Sequence, residues 1–103
     1  MRIGHVKIAI HAFDGMTLFH LAAPLLVFSE VSRLGLADDW ETGVFTETGA
    51  PVRSAEGYLV EGTAGPDLAR NADLVIFPSW LPDLAPPSDG LLTLIRSSHA
   101  RNA

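Results

Sequence analysis

The chain has 103 residues, of which 48% are hydrophobic and 18% are charged, and its formal net charge at pH 7 is −5. This length and apolar content predict a single folded domain over residues 1–103 and argue against intrinsic disorder. The acidic balance argues against direct contact of this chain with nucleic acid, because phosphate contacts need a basic surface. The chain has no cysteine, which excludes disulfides, thiolate metal sites and a cysteine nucleophile within these residues.

No segment has the pattern of a membrane span or a signal peptide. The longest apolar run, from Leu21 to Phe28, is far shorter than the roughly 20 residues that cross a bilayer. The segment from Met1 to Gly4 carries one arginine and leads into a strand pattern, without the apolar core of a signal peptide. We therefore expect a cytoplasmic protein with no membrane contact.

The first half of the chain predicts a strand, a helix and a second strand. Alternating apolar residues predict a strand over 6–13, which the turn residues Asp14 and Gly15 end. Apolar residues three and four apart then predict a helix with one buried face, from about Leu18 to a stop at Gly35. A second strand is predicted over 40–46.

The second half predicts a hairpin, a short helix, a buried strand and a last helix. The hairpin arms are expected at 52–54 and 58–61, and Pro66 favours the start of a brief helix. The continuous apolar run over 73–78 is typical of a parallel strand buried on both faces. A proline-rich loop follows over 79–89, and then a helix that Ser88 or Asp89 caps.

This order of elements is typical of an α/β fold. We expect a mainly parallel sheet with helices on both faces, arranged as a flavodoxin-like three-layer sandwich.

Three segments, in order, resemble the ThiJ/PfpI branch of the class I glutamine amidotransferase-like superfamily. They are Ile8 to Met16 with its Phe-Asp-Gly ending, Leu21 to Phe28 with its internal proline, and Ala72 to Trp80. The likeness covers nearly the whole chain and is nearest to the sensor domains of AraC-type transcriptional regulators. In that family, a strand bearing a cysteine nucleophile follows the last helix. The resemblance therefore implies a partial domain, truncated before the nucleophile strand.

The resemblance also suggests site residues. His20 lies where the family's enzymes carry an acid four residues before the helix proline, and Ser79 replaces a glycine whose N–H stabilises an oxyanion. A residue other than glycine resists positive φ, so Ser79 argues against catalysis. The histidine in place of the acid also argues against it. We predict ligand contacts at Asp14, His20, Ser79 and Trp80. The alternatives are a simple turn residue at Asp14, a partly buried structural His20, and an ordinary loop with Trp80 packed inward.

The chain shows no signal for a metal or a cofactor. His5 and His11 are six residues apart, which on a strand separates them by about 20 Å, too far to share one ion. The glycines form neither a dinucleotide fingerprint nor a phosphate loop. We expect neither a metal nor a cofactor.

Three functions fit these observations. The leading one is a non-catalytic ligand-sensing or dimerisation domain of an AraC-type regulator, without its DNA-binding module, that binds a small metabolite and forms a homo-oligomer. The second is a truncated ThiJ/PfpI-type enzyme, such as a hydratase, a hydrolase or a glyoxalase-like protein. The third is an inactive gene fragment. Self-association is expected through the exposed edge of the strand at Leu74 to Phe77.

Overall fold

The computed structural model describes residues 6–36, 40–80 and 85–103. The elements follow one another in the predicted order. They are β1 (Val6–His11), α1 (Leu18–Arg33), β2 (Trp40–Phe45), β3 (Val52–Arg53), β4 (Leu59–Val60), α2 (Asp67–Arg70), β5 (Leu74–Ile76) and α3 (Asp89–Ala100).

A three-stranded sheet in the order β2-β1-β5 forms the centre of the structure, and both pairings are parallel. Ile10 in β1 is level with Val44 in β2 and Ile76 in β5. The carboxyl ends of all three strands therefore lie at one edge of the sheet. The strands β3 and β4 form the predicted antiparallel hairpin.

The two faces of the sheet carry separate apolar clusters. Ile8 and Ile10 pack with α1 and the hairpin, through residues such as Leu21 and Val52. Ala9 and Phe45 pack on the other face with α2 and α3. Successive residues of a strand point to opposite faces, so the alternation in β1 feeds both clusters. The predicted α/β fold with helices on both faces is confirmed.

The helix α1 begins and ends close to the predicted residues. Its apolar stripe buries Leu21 and packs Leu25 and Phe28 against the sheet. After the last helical residue the chain turns at Gly35, whose φ of 70° is the left-handed conformation that glycine adopts without strain. The backbone N–H of Leu34 bonds to the Glu30 carbonyl, which continues the helical pattern into this turn.

Two side chains fix α3 at its ends. The Ser88 hydroxyl accepts a hydrogen bond of 3.1 Å from the Leu91 N–H, which confirms Ser88 as the cap. At the other end, the Arg101 guanidinium donates to the backbone carbonyls of Ala69 and Ala72, with a distance of 2.8 Å to the first. Arg101 thus ties the end of α3 to α2 and to the residues that lead into β5.

The prediction of a long β5 buried on both faces is wrong. The strand is only Leu74–Ile76, and 39% of Leu74 is exposed. In the described sheet, β5 is an edge strand with a neighbouring strand on one side. The apolar sequence of the segment does not by itself show how much of its surface other residues cover. The strand β1 also ends at His11, two residues before the predicted end, because the chain turns away from β2 at that point.

Within the described residues, no helix has both the length and the apolar character to cross a membrane.

Candidate functional site

Polar and aromatic side chains gather where the parallel strands end. His11 is the last residue of β1, Phe45 is the last of β2, and Phe77 directly follows β5. In open α/β sheets, ligands bind in the crevice outside the carboxyl ends of the strands. This edge is therefore the first place to search for a site.

His11 is buried at this edge inside a group of aromatic rings. The side chain is 1% exposed. Its ring centroid lies 5.2 Å from that of Phe77, 5.4 Å from Phe45, 5.7 Å from Phe13 and 6.1 Å from Trp80. The Phe13 and Trp80 rings are nearly parallel to the imidazole, at interplanar angles of 23° and 28°. We call these five residues the His11 cage.

Neither ring nitrogen of His11 has a hydrogen-bond partner in the described part of the chain. Burial lowers the pKa of the imidazole below its ordinary value of 6.5, and the nearby Glu47 carboxylate opposes this shift to a smaller extent. The ring is therefore neutral near pH 7 and holds one N–H donor and one acceptor. Buried polar groups normally have hydrogen-bond partners, so two ring nitrogens without one need an explanation.

The local sequence explains why His11 points inward. It is two residues after Ala9 on the strand, so both side chains face the α2 and α3 side of the sheet. From the sequence, His11 was expected only not to share a metal ion with His5, and its burial as a polar residue was not predicted. The available signal was a histidine at an inward position of an otherwise apolar strand.

A cleft of about 670 Å³ lies beside the His11 cage and shares two residues with it, Phe77 and Trp80. The cleft runs between the end of β5 and the first turns of α3. Its other lining residues are mostly apolar: Ser79, Ala85, Pro86, Pro87, Leu91 and Ile95. The volume is within the range of small-molecule sites, about 300 to 1,000 Å³.

Trp80 belongs to both the cleft and the cage. Its indole packs on His11 and Phe13, and its Nε1–H donates a hydrogen bond of 2.6 Å to the Ala85 carbonyl. This bond holds the proline-containing segment before α3 against the indole. A movement of Trp80 would therefore change both the cleft and the surroundings of His11.

Ser79 supplies a hydroxyl to the cleft. Its only described hydrogen bond is a long one, 3.4 Å, to the carbonyl of Trp80. Among the described residues other than glycine, Asn102 alone has a positive φ. Ser79 thus has an ordinary backbone conformation, as expected for a residue with a Cβ atom.

Ser88 and Glu47 form a polar pair at the start of α3. The Ser88 hydroxyl is hydrogen-bonded to the Glu47 carboxylate while it caps the helix. Glu47 follows β2 by two residues and is exposed. It therefore brings a negative charge to the same edge as His11, as the pKa of His11 reflects.

Asp14 and His20 take part in a different group of contacts, around the start of α1. The Asp14 carboxylate accepts a hydrogen bond of 2.9 Å from the Arg53 N–H, and the Gly15 N–H bonds to the Arg53 carbonyl at 2.8 Å. His20 is hydrogen-bonded to the Thr17 hydroxyl at 3.0 Å. Asp14 therefore joins the turn after β1 to the hairpin.

The expectation that His20 is partly buried is wrong, because the residue is exposed on the first turn of α1. Close to it, Glu56 accepts a hydrogen bond of 3.1 Å from the Leu18 N–H, and this bond is the main reason that the pKa of Glu56 is lowered. Of the four predicted ligand residues, the structure places Ser79 and Trp80 together in one cleft. Ligand contact at Asp14 and His20 stays a prediction.

Metal-ligating residues do not converge in the described part of the chain. Nowhere in residues 6–36, 40–80 and 85–103 do three or more His, Cys, Asp or Glu side chains group as a metal site would require. His5 lies outside the described residues.

Two solved structures share the fold of this chain over nearly its whole length. A candidate transcriptional regulator from Vibrio parahaemolyticus superposes on 97% of the chain with a TM-score of 0.83 at 17% identity. A DJ-1 superfamily protein from Agrobacterium tumefaciens superposes on 94% with a TM-score of 0.67 at 22% identity. The chain therefore shares the fold of these two proteins. The predicted resemblance to ThiJ/PfpI domains is thus confirmed at the level of fold.

This chain covers only part of the length of each of these proteins. This chain spans 54% of the Vibrio protein and 50% of the Agrobacterium protein. An uncharacterised protein of Streptomyces lividans, encoded in the 5′ region of cpoL, is 34% identical over 76 residues, which are 74% of this chain and 52% of that protein. No protein-family model matches the chain. The chain therefore corresponds to about half the length of the proteins that it resembles.

Proposed function

We propose that this chain is a non-catalytic ligand-sensing domain of a transcriptional regulator of the AraC type, which acts in the cytoplasm. The observation that carries the proposal is the buried, unpartnered His11 behind Trp80, next to an apolar cleft at the carboxyl ends of the strands. The likeness in fold to the candidate regulator from Vibrio parahaemolyticus supports it.

The cleft favours a small and mostly apolar ligand. Trp80 and Phe77 offer ring faces, and the Ser79 hydroxyl offers one polar contact. A compact amine or amino-acid derivative with an aromatic side chain has this combination of an apolar body and a polar group. The ring would stack on Trp80 while the polar group bonds to Ser79.

The unpartnered His11 explains how such a ligand could act as a signal. A buried polar group without a partner costs about 1 to 3 kcal/mol. A ligand that moves Trp80 as it stacks on the indole, and whose polar group reaches His11 as well as Ser79, removes this cost only in the bound arrangement. Binding therefore favours one arrangement of the edge over the other, which is the condition for a ligand to shift a conformational equilibrium.

The chain's own composition supports a sensing role over catalysis or DNA contact. His20 stands at the position of the supporting acid of ThiJ/PfpI-type enzymes, and Ser79 stands at the position of their oxyanion glycine. The sequence pI of about 5.1 disfavours contact with phosphates. DNA would be read by another part of the regulator.

Tryptophan fluorescence tests the proposal directly. The chain has two tryptophans, so Trp40→Phe leaves Trp80 as the single reporter. We expect saturable changes in emission with at least one of 2-phenylethylamine, phenylacetate and N-acetylphenylalaninamide. Ser79→Ala should weaken this binding, whereas the matched control Ser29→Ala, at an exposed serine of α1, should not. If no probe binds, or if Ser79→Ala binds as well as the parent, the proposed ligand class is wrong.

A further inference from the structure

Glu47 lies between His11 and the start of α3. His11 is level with Phe45 in the neighbouring strand, and both side chains are on the α2 and α3 side of the sheet. The chain is still extended beyond β2, because the Thr46 N–H makes a further bond of 2.9 Å with a parallel neighbour. Glu47 therefore continues on the same side as His11. Its carboxylate accepts the hydrogen bond from the Ser88 hydroxyl.

Glu47 has two alternative partners, and the protonation state of His11 decides between them. A neutral imidazole has one donor and no charge, so it competes weakly with Ser88 for the carboxylate. The imidazolium has donors on both nitrogens, and its charge adds an attraction that a neutral hydroxyl does not supply. Neither nitrogen has a partner in the described chain, so no existing bond of the ring opposes this exchange.

Glu47 is the charged group that acts on His11. Besides Glu47, the described elements on this side of the sheet carry the following ionisable residues at or before the first turn of α3: Lys7 of β1, Glu41 of β2, Asp67 and Arg70 of α2, and Asp89 of α3. The Glu47 carboxylate raises the pKa of the imidazole, against the larger effect of burial. Arg70 lines a small cavity beside Glu47, but its guanidinium is bonded to Asp67. The response of this edge to acid therefore depends on His11 and Glu47.

The closed His11 cage suits the neutral ring and not the imidazolium. The side chain is 1% exposed, and a charge without a partner is far more costly to bury than a neutral polar group. The faces of the aromatic rings attract a cation, yet burial still lowers the pKa of His11 below its ordinary value. An imidazolium at this position therefore needs access to Glu47 and to water.

Trp80 is the ring of the cage that has room to move. Phe45 is 0% exposed and belongs to β2, which pairs with β1 along its length. Trp80 follows the end of β5, and its indole N–H is held by the bond to the Ala85 carbonyl. The indole also lines the cleft of about 670 Å³. A movement of Trp80 into this space uncovers the face of the imidazole on which it now stacks.

We propose that His11 and Glu47 form a proton switch for the cleft: when His11 takes up a proton from water, the Glu47 carboxylate leaves Ser88 for the imidazolium, and Trp80 moves off the ring. Acid and a ligand that moves Trp80 then favour the same arrangement, so ligand binding becomes tighter as the pH is lowered. This effect on binding rests on the proposed function, whereas the switch itself operates without a ligand.

Acrylamide quenching of Trp80 tests the switch without any ligand. With Trp40→Phe as the parent, Trp80 is the single tryptophan. We expect the quenching constant to rise at least about twofold between about pH 7.5 and about pH 5, while the far-UV circular dichroism stays constant. His11→Leu should abolish the rise. Glu47→Gln, at an exposed residue whose replacement does not disturb the core, should move the midpoint to lower pH, because the imidazolium loses its partner.

His99→Gln and Glu61→Gln are the matched controls, each at an exposed residue, and both should behave as the parent. The switch is overturned by a quenching constant that does not change with pH, by a rise that persists in His11→Leu or coincides with loss of helical signal, and by an unchanged midpoint in Glu47→Gln. If a probe ligand binds at neutral pH but quenching does not respond to acid, the switch is wrong and the proposed function stands. If quenching responds as expected but no probe binds, the switch stands and the proposed ligand class is wrong.

Discussion

Replacing His11 by leucine should stabilise the fold at neutral pH. The side chain is 1% exposed and neither ring nitrogen is paired within the described chain, and its removal recovers about 1 to 3 kcal/mol. Leucine has a similar volume and replaces the ring contacts by apolar contacts with Trp80 and the phenylalanines, and such a volume-conserving exchange costs up to about 1.5 kcal/mol. The net gain is about 1 kcal/mol, or roughly 4 to 8 °C in Tm for a domain of this size.

The pH dependence of the same variant isolates the imidazole. Burial lowers the pKa of His11 in the folded chain, so below pH 6.5 the unfolded state binds a proton that the folded state does not. The free energy of unfolding is therefore highest above pH 6.5 and decreases as the pH is lowered below 6.5.

Urea unfolding of the parent and of His11→Leu, at several pH values, measures both effects. We expect His11→Leu to be about 1 kcal/mol more stable than the parent at pH 7, and we expect this difference to grow as the pH is lowered to 5. His99→Gln, which changes an exposed histidine on α3, is the matched control. A variant that is less stable than the parent at pH 7, or a difference that does not change with pH, would refute the reasoning.

Three further substitutions test contacts outside the cage, the first two by chemical denaturation and the third by amide hydrogen exchange. Asp14→Ala should lower stability by about 1 to 2 kcal/mol because it leaves the Arg53 N–H without its acceptor; Asp14→Asn keeps an oxygen there and should lose less. Ser88→Ala removes the cap of α3 and should cost about 1 kcal/mol, whereas Ser88→Asp should restore most of it. Arg101→Ala should speed amide exchange at the end of α3, because the bonds to Ala69 and Ala72 are lost; unchanged exchange would contradict that tether.

Local sequence patterns were sufficient for the order and kind of the elements. The alternation in β1, the three and four spacing in α1 and the cap at Ser88 act over a few residues, and each was confirmed close to its predicted bounds. The same is true of the hairpin at 52–60, whose turn residues lie between two short apolar arms. These features depend on the period of side chains along one element and need no knowledge of its neighbours.

The site was only partly predictable. Ser79 and Trp80 were expected from the residues that follow the apolar strand, and they do line one cleft. His11 was not expected, because its burial depends on rings that come from four other positions in the chain, Phe13, Phe45, Phe77 and Trp80. No local pattern contains that information.

The sequence by itself therefore determined the α/β class, the parallel strands and their order along the chain, because these follow from periodicity and turn chemistry. Only the tertiary structure decided which apolar surfaces are covered. In the described residues, Leu74 on an edge strand and Phe19 on α1 are exposed, while His11 is buried with neither ring nitrogen hydrogen-bonded. Coverage depends on contacts between residues that are distant in the chain, and those contacts exist only once the layers have packed.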